Sequence, residues 1–468
     1  VLDHLREESQ AVNFASAFLS REPIDQVCHC TKNTSRDGFC RKCGWAAEAR
    51  WKMSKFFARA CRKKSREALN LLPGRCTAGI FGAAGVLGLL RFHRTCIHRQ
   101  RNPSLCRDFA PRSGTSMKTM RAVFQSEYGD PQKVLTVAEV PVPRAGPGEV
   151  LVRVHAASVH ADVWHVVRGI PYILRWMGAG ARRPNPPIPG TDLAGTIVEI
   201  GAGVARFSVG DRVFGESTRA MQWRNGGTFA QYACAPADVL ARIPEGIGFE
   251  DAACIPTAGI IAWNNLRGES AITNGQHVLI NGAAGGVGRV ALQIAKSRGA
   301  IVTGVDCAAK LDTMRHAGAD HVIDYQKEDV IQGSNRYDLI FDVASNLRLR
   351  ECRKILRDGG IYVVIGHDHY GKRGHRILGS LPRMLGLMAR ATFDRNLPRP
   401  DMSLLPKGEV MAELATLLAN GALKPIVHAT YPLDRVKDAM RELENESVIG
   451  KILIAPQHFV APGSSNSP

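Results

Sequence analysis

Four glycines, Gly282, Gly285, Gly286 and Gly288, stand in the run NGQHVLINGAAGGVGRVALQIAKSRGA, between an apolar and an amphipathic stretch. An acid, Asp306, follows 18 residues past the last of them. The chemistry such a set supports is the holding of a dinucleotide. Glycines let the backbone come close to a pyrophosphate, and a helix starting behind them offers unpaired N–H groups and a positive dipole end. The acid can bind a ribose hydroxyl, which favours NADH. Lys310, four residues further on, offers the opposite option, a cation for the 2′-phosphate of NADPH.

These residues need a particular set of elements behind them. His277 to Ile280 is apolar and β-branched and reads as a buried strand. From Val287 onward, Val290, Ala291, Ile294 and Ala295 recur at helical spacing, and Gly299 closes the helix. A second strand, Ile301 to Val305, delivers Asp306. The unit is βαβ, the context in which a glycine cluster becomes a dinucleotide fingerprint. Beyond it HVIDY, YDLIFDVAS and GGIYVVIG repeat the βα alternation, which implies a parallel sheet covered on both faces. A helix around Leu433 to Glu444 precedes a last strand, GKILIA. Before the glycines the text is all-β: RAVFQ, VLTVAEV, EVLVRVHAASV, DLAGTIVEIG, GDRVFGE and FAQYACAP are short strands between Pro/Gly turns.

The chain has 468 residues and a formal charge of +18. Two or three domains are expected from that length. The charge is concentrated at the front: residues 1–116 carry a net +12 and the remainder only +6. A nucleic-acid role for the glycine-rich part is therefore not expected. Eight of the twelve cysteines also precede Met117. The later four, Cys234, Cys254, Cys307 and Cys352, are scattered, as in a reduced compartment without a disulfide framework.

Residues 1–116 read as a basic, Cys-rich leader, either a mitochondrial transit peptide or upstream translation before a start at Met117 or Met120. From Met53 the leader is Arg-rich, with only Glu67 and Asp108 as acids. The apolar run Cys76 to Leu90 has 15 residues, short of the ~20 that span a bilayer. Cys28, Cys30, Cys40 and Cys43 have spacing that suits zinc, but no apolar core accompanies them. The leader is expected to be disordered, and the protein mitochondrial if it is genuine, otherwise cytoplasmic.

The string Gly275-Gln276-x2-Leu279-x3-Ala283-Ala284-Gly285-Gly286-x-Gly288-x4-Gln293-x2-Lys296 resembles the signature of zeta-crystallin-like quinone oxidoreductases, zinc-free members of the medium-chain dehydrogenase/reductase superfamily. PGTDLAGTIVEIG, GDRVFG, GGTFAQY, GADHVIDY and the terminal GKILI agree, so the resemblance covers about Met117 to Pro456. It implies an α/β fold: a GroES-like catalytic β domain over 117–243, a doubly wound Rossmann domain over 244–400, and a segment over 401–456 that returns to the first domain. Residues 457–468 are expected to form a disordered tail. A homodimer is expected.

Zinc members of the superfamily carry a Cys, a His-Glu pair and a second Cys around the metal. Matching motifs here place His160, Thr191 with Asp192, and Cys254 at those positions. Thr191 is a poor ligand, and the four-cysteine lobe of the structural zinc site is missing between Asp211 and Phe229. No metal is expected. Without a Lewis acid, reduction of a quinone or enone is easier than alcohol oxidation: hydride goes to the β-carbon, and a donor must meet the enolate oxygen.

The resemblance implies that Ala284, Gly285, Gly286, Val287 and Gly288 hold the pyrophosphate. Tyr325, Ser345 and Gly366 fall where the family meets adenosine and nicotinamide, and His165 where it often has an aromatic residue near the nicotinamide. Tyr172, in RGIPYIL, is the candidate hydrogen-bond donor, and His160, which replaces the family's usual Asn, bears on the substrate end. The expected cofactor is NADPH or NADH, with a lean to NADPH. The segment Gly371 to Pro400, basic and rich in Leu and Met, fits no motif. It reads either as a buried helical wall or dimer surface, or as a membrane-surface contact. The rival functions are an enoyl-thioester reductase and a nucleotide-binding partner protein without turnover.

Overall fold

The structure is a computed structural model that describes residues 118–220, 223–366, 376–399, 405–445 and 447–457. The leader, with Cys28, Cys30, Cys40 and Cys43, and the tail from 458 lie outside the described residues, as do 371–375 and Pro400 of the basic segment.

Among the described residues the strands run in chain order as β1 (Thr119–Gln125), β2 (Leu135–Pro141), β3 (Glu149–Val159), β4 (Asp192–Ile200), β5 (Arg212–Glu216), β6 (Tyr232–Pro236) and β7 (Leu240–Arg242). Then come β8 (His277–Asn281), β9 (Ile301–Asp306), β10 (His321–Asp324), β11 (Tyr337–Asp342), β12 (Leu356–Val364), β13 (Val427–Tyr431) and β14 (Lys451–Ile454). They make an antiparallel β1–β2 pair, a seven-stranded mostly antiparallel sheet and a five-stranded parallel sheet. The expected division into a β part and a βα part is what the chain adopts.

In the parallel sheet the order is β10-β9-β8-β11-β12. The chain winds from β8 one way through β9 and β10, then returns to the other side of β8. The reversal falls between β8 and β11, the point where open α/β sheets bind ligands. β8 shows why it is central. Val278 and Ile280 belong to one core cluster, Leu279 to another, and all three are fully buried. Successive side chains of a strand point to opposite faces, so both faces are covered. Val290, Ala291 and Ile294 of the helix Gly286–Ser297 pack on the first face; Leu349, Cys352 and Ile355 cover the second.

The C-terminal strands do not extend the parallel sheet. β14 pairs antiparallel with β3, Leu453 opposite Ser158, while Leu433, Val436 and Met440 fill the core of the β part. This return carries Lys451 back to the interior. The basic segment departs from expectation: the helix Leu381–Ala391 buries only Ala391, and Leu385 and Met388 are exposed, so it is not a buried wall. No helix among the described residues is long and apolar enough to cross a membrane.

Candidate active site

The glycine-rich turn closes β8. Gly282 has φ +83°, which turns the chain back sharply at its end. Its N–H and that of Ala283 donate to the Val305 carbonyl at 2.9 and 3.1 Å, tying the turn to β9. Gly288 is a packing glycine: a Cβ there would lie 2.0 Å from the Gly282 carbonyl oxygen and 2.8 Å from Ala283 Cα. Gly285 differs, because a Cβ would sit 3.5 Å from the Gly282 oxygen, an ordinary contact. Nothing in the protein itself requires a glycine at 285. Gly286, Val287 and Gly288 open the helix, and first-turn N–H groups have no partner within a helix. With the dipole they form an anion site.

A residue that the sequence reading missed stands beside this turn. A Cβ on Gly286 would lie 3.1 Å from Lys451 Cε, and the Gly450 N–H donates to the Ala284 carbonyl at 3.3 Å. Lys451 is buried, with its ammonium 3.5 Å from Ser158 Oγ and 4.0 Å from Asp192 Oδ2. The only signal in the sequence was the Lys of GKILI, 163 residues from Gly288 and quoted there as a strand.

At the end of β9, Asp306 does not stand alone. Its carboxylate accepts from the Ala284 N–H at 3.2 Å and the Cys307 N–H at 2.9 Å, and Lys310 Nζ lies 3.6 Å away. The two residues offered as alternatives for the ribose thus form one ion pair, both nearly buried. Ala284 spends its N–H on Asp306, so that N–H is not open to an anion at the turn. Tyr325, half-exposed, follows β10 and donates its N–H to the Asp306 carbonyl at 3.2 Å.

Across the reversal point, Asn281 Nδ2 donates to Asp342 Oδ1 at 2.7 Å, joining the ends of β8 and β11. Burial pushes the Asp342 carboxyl above its ordinary range, against hydrogen bonds from Asn281 and Tyr362. Ser345 follows with φ +55°, the one non-glycine residue at positive φ among the described residues. Such a conformation costs ~1–3 kcal/mol and persists where its surroundings hold it. Here its hydroxyl donates to the Ile365 carbonyl, and its own carbonyl accepts from Arg383. Arg383 also donates to the Leu347 carbonyl at 2.7 Å and to Tyr362 Oη at 3.0 Å. Gly366 faces Ser380 and Met384: a Cβ there would be 3.2 Å from Ser380 Oγ. Ser345, Gly366 and the helix Leu381–Ala391 are therefore one unit at the carboxyl edge of the sheet.

On the β part, His160 precedes the helix Ala161–Arg168 and bonds Thr191 Oγ1 through Nε2 at 3.0 Å. Its Nδ1 is buried and lies 3.3 Å from Asp162 Oδ2 without hydrogen-bond alignment. Asp192 accepts from Ser158 Oγ at 2.6 Å and from Thr257 through Oγ1 at 2.5 Å and N–H at 3.2 Å. Thr257 Oγ1 also lies 2.9 Å from Glu216 Oε1, and Glu216 pairs with Lys407. Burial, opposed by Lys407, raises the Glu216 carboxyl, and Asp192 raises it further. One hydroxyl carries one proton, so Thr257 Oγ1 can donate to only one of the two carboxylates at a time. Cys254 is buried, its thiol 3.9 Å from the Ile426 carbonyl and pushed up to about 12 by burial. Among the described residues no three His, Cys, Asp or Glu side chains gather as metal ligands do.

His165 is buried too, its Nδ1 2.8 Å from the Ile170 carbonyl and its ring edge-on to Trp164. Tyr172 stands apart from the His160–Thr191 pair. It is exposed, lies under the Arg175 guanidinium at 4.7 Å, and donates its N–H to the Arg376 carbonyl at 2.8 Å. The structure thus groups the candidate nucleotide residues other than His165 at one sheet edge, keeps His165 on the β part, joins His160 to Thr191, and leaves Tyr172 on the surface.

Two family models match: the alcohol dehydrogenase GroES-like domain over residues 146–245, and a zinc-binding dehydrogenase domain over 317–454. The human quinone oxidoreductase is 28% identical over 354 residues, 73% of this chain and 99% of that protein. A 2-methylene-furan-3-one reductase from Solanum lycopersicum is 26% identical over 345 residues, 72% of this chain and 79% of that one. The solved quinone oxidoreductase of Coxiella burnetii shares the fold, with a TM-score of 0.61 at 24% identity over 73% of this chain and all of the other. The signature in the glycine turn, the two matched domain models and the shared fold agree that this chain belongs to the zeta-crystallin-like quinone oxidoreductases of the medium-chain dehydrogenase/reductase superfamily, whose members are nicotinamide-dependent oxidoreductases.

Proposed function

We propose that the protein uses NADPH, or less readily NADH, to reduce a quinone or an α,β-unsaturated carbonyl, without a catalytic zinc. The observation that carries the zinc-free reading is the engagement of Asp192. The residue at the zinc enzymes' carboxylate position already accepts from Ser158 and Thr257 and sits 4.0 Å from a lysine ammonium. Its neighbour Thr191 is a weak ligand tied to His160, and the Cys254 thiol is buried against the Ile426 carbonyl. This donor set does not suit an open catalytic zinc, which needs three well-aimed ligands.

The nicotinamide, when bound, supplies the hydride. The chain supplies the rest. Gly286, Val287 and Gly288 receive the pyrophosphate on backbone N–H groups, with Gly285, whose own N–H donates to the Gly282 carbonyl at 3.3 Å, allowing its close approach and Lys451 adding a cationic contact. Asp306, Lys310 and Tyr325 meet the adenosine ribose. Lys310 at 3.6 Å offsets the repulsion that Asp306 alone would exert on a 2′-phosphate, which supports the lean to NADPH. Ser345 and Gly366 border the nicotinamide end, with His165 on the facing β part. His160, buried and bonded through Nε2 to Thr191 Oγ1, is the candidate proton source there. Tyr172 is the candidate donor to the enolate oxygen, which requires its loop to move inward. A homodimer and, if the leader acts as a transit peptide, a mitochondrial location complete the reading.

The test is NADPH and NADH oxidation against quinones, enones and acyl-CoA thioesters. Turnover with quinones or enones supports the reading. Turnover with thioesters alone assigns the enoyl-thioester alternative, and binding without turnover on any substrate leaves a nucleotide-binding partner protein.

A further inference from the structure

Two segments far apart in sequence are joined by backbone hydrogen bonds: Tyr172 N–H donates to the Arg376 carbonyl at 2.8 Å and Ile173 N–H to the Ile377 carbonyl at 2.9 Å. Eight of the eleven exposed large apolar side chains among the described residues fall on 172–177 and 377–393, so their clustering is not ordinary surface scatter. Trp176 is 79% exposed, with Met177, Ile377 and Leu378 beside the joint. The helix Leu381–Ala391 turns Met384 toward Gly366 and packs Leu387 on the core, yet its outward side carries Leu385 and Met388, where a solvated helix would be polar.

The charge of these two joined segments has one sign. Residues 168–183 and 376–393 contain seven arginines and no Asp or Glu. Arg168, Arg175 and Arg383 are engaged within the protein, while Arg182, Arg183, Arg376 and Arg390 are exposed. Interspersed Trp, Leu, Met and Arg suit the headgroup boundary of a bilayer, where apolar side chains enter and arginines reach the phosphates. A second copy fits less well: a two-fold contact would set this arginine face against itself.

We propose that this face docks on the surface of an anionic phospholipid bilayer. Arg383 ties the same helix to Ser345, so docking would place the nicotinamide end near a membrane-dissolved apolar substrate. That last consequence rests on the quinone or enone reading above; the docking itself does not.

The experiment uses the full chain with vesicles of phosphatidylcholine alone or with 30% phosphatidylglycerol, in co-sedimentation and in quenching by brominated lipid. Binding is expected to the anionic vesicles and to fall at least tenfold in Arg182→Ser/Arg183→Ser and in Leu385→Ser/Met388→Ser, with melting and turnover of a water-soluble quinone kept as folding controls. Brominated lipid should quench a tryptophan signal that Trp176→Phe lacks. Because the leader is basic, unchanged binding in both double variants would place lipid affinity there and overturn the proposal. So would quenching equal in Trp176→Phe and the parent chain. A lipid-free dimer that Leu385→Ser/Met388→Ser dissociates would make the face a subunit interface instead. Vesicle binding with no quinone or enone turnover would sink the function reading and leave the docking face standing.

Discussion

Substituting Gly285 and Gly288 separately by alanine tests whether the glycine turn is shaped by the fold or by a ligand. At 288 the new methyl would sit 2.0 Å from a backbone oxygen, and neither partner is the end of a flexible side chain. The helix must shift away from the turn, and overpacking of this kind costs ~1–3 kcal/mol. Gly288→Ala should therefore melt several degrees lower, with or without cofactor. At 285 the methyl meets its nearest atom at 3.5 Å, and the backbone, at φ −72° and ψ 172°, is open to any residue. Exchanging glycine for alanine at this N-cap should change stability by no more than about 1 kcal/mol. In the proposed complex the methyl stands where the pyrophosphate approaches. Losing one charge-assisted hydrogen bond costs ~1.5–3 kcal/mol, which is roughly a 10- to 150-fold rise in Kd. The assays are thermal melts and NADPH titration by calorimetry on both variants. If Gly285→Ala binds NADPH like the parent, the pyrophosphate does not lie on this turn. If Gly288→Ala melts like the parent, the close packing at the helix start is wrong.

Asp306→Ser should raise the preference for NADPH over NADH about tenfold, or ~1.4 kcal/mol, since it removes the carboxylate and releases Lys310 toward the 2′-phosphate. Equal ratios of the two affinities in variant and parent would show that Asp306 does not face the ribose. Glu216 gives a pH dependence. Its folded pKa is raised by burial, so its contribution to stability is complete below the ordinary Glu range and is lost as pH rises through the folded value. Relative to the parent, Glu216→Gln should gain thermal stability as pH rises, because it keeps a donor to Thr257 and cannot ionise; a constant difference in Tm from pH 4 to 9 would mean that Glu216 is already ionised throughout. Zinc should be absent at stoichiometric level from the 117–468 portion and turnover should survive chelators; about one zinc per chain, lost with activity in His160→Asn, would overturn the zinc-free mechanism.

The nucleotide half was legible because its signals are local. Strand, turn, helix and acid follow one another within Asn274 to Asp306, and hydrophobic periodicity places each of them. The same locality explains what was missed. Lys451 reaches Gly286 only because β14 leaves the parallel sheet and pairs with β3, a contact no sequence spacing encodes. The chain Lys407, Glu216, Thr257, Asp192, Ser158 is likewise assembled from five separate segments. The family resemblance could nominate Asp192 as a zinc-position carboxylate, but not reveal that hydroxyls and a lysine already engage it.

The pairing of Asp306 with Lys310 carries the argument one step further. Read along the chain, the two residues give opposite answers about the cofactor, and weighing them separately leaves the choice open. At 3.6 Å and nearly buried they are one electrostatic object: the carboxylate holds the Ala284 N–H while the ammonium offsets its charge. A ribose hydroxyl can take the carboxylate, and a 2′-phosphate can take the ammonium, at the cost of disturbing the pair in either case. On the proposed reading, selectivity would depend on the pair, the carboxylate held by Ala284 and Cys307 together with the ammonium beside it, and not on the acid alone. Lys310→Met separates the two views. If the acid alone decides, the variant keeps the parent's preference; if the pair decides, it loses affinity for NADPH while NADH binding is held or improved.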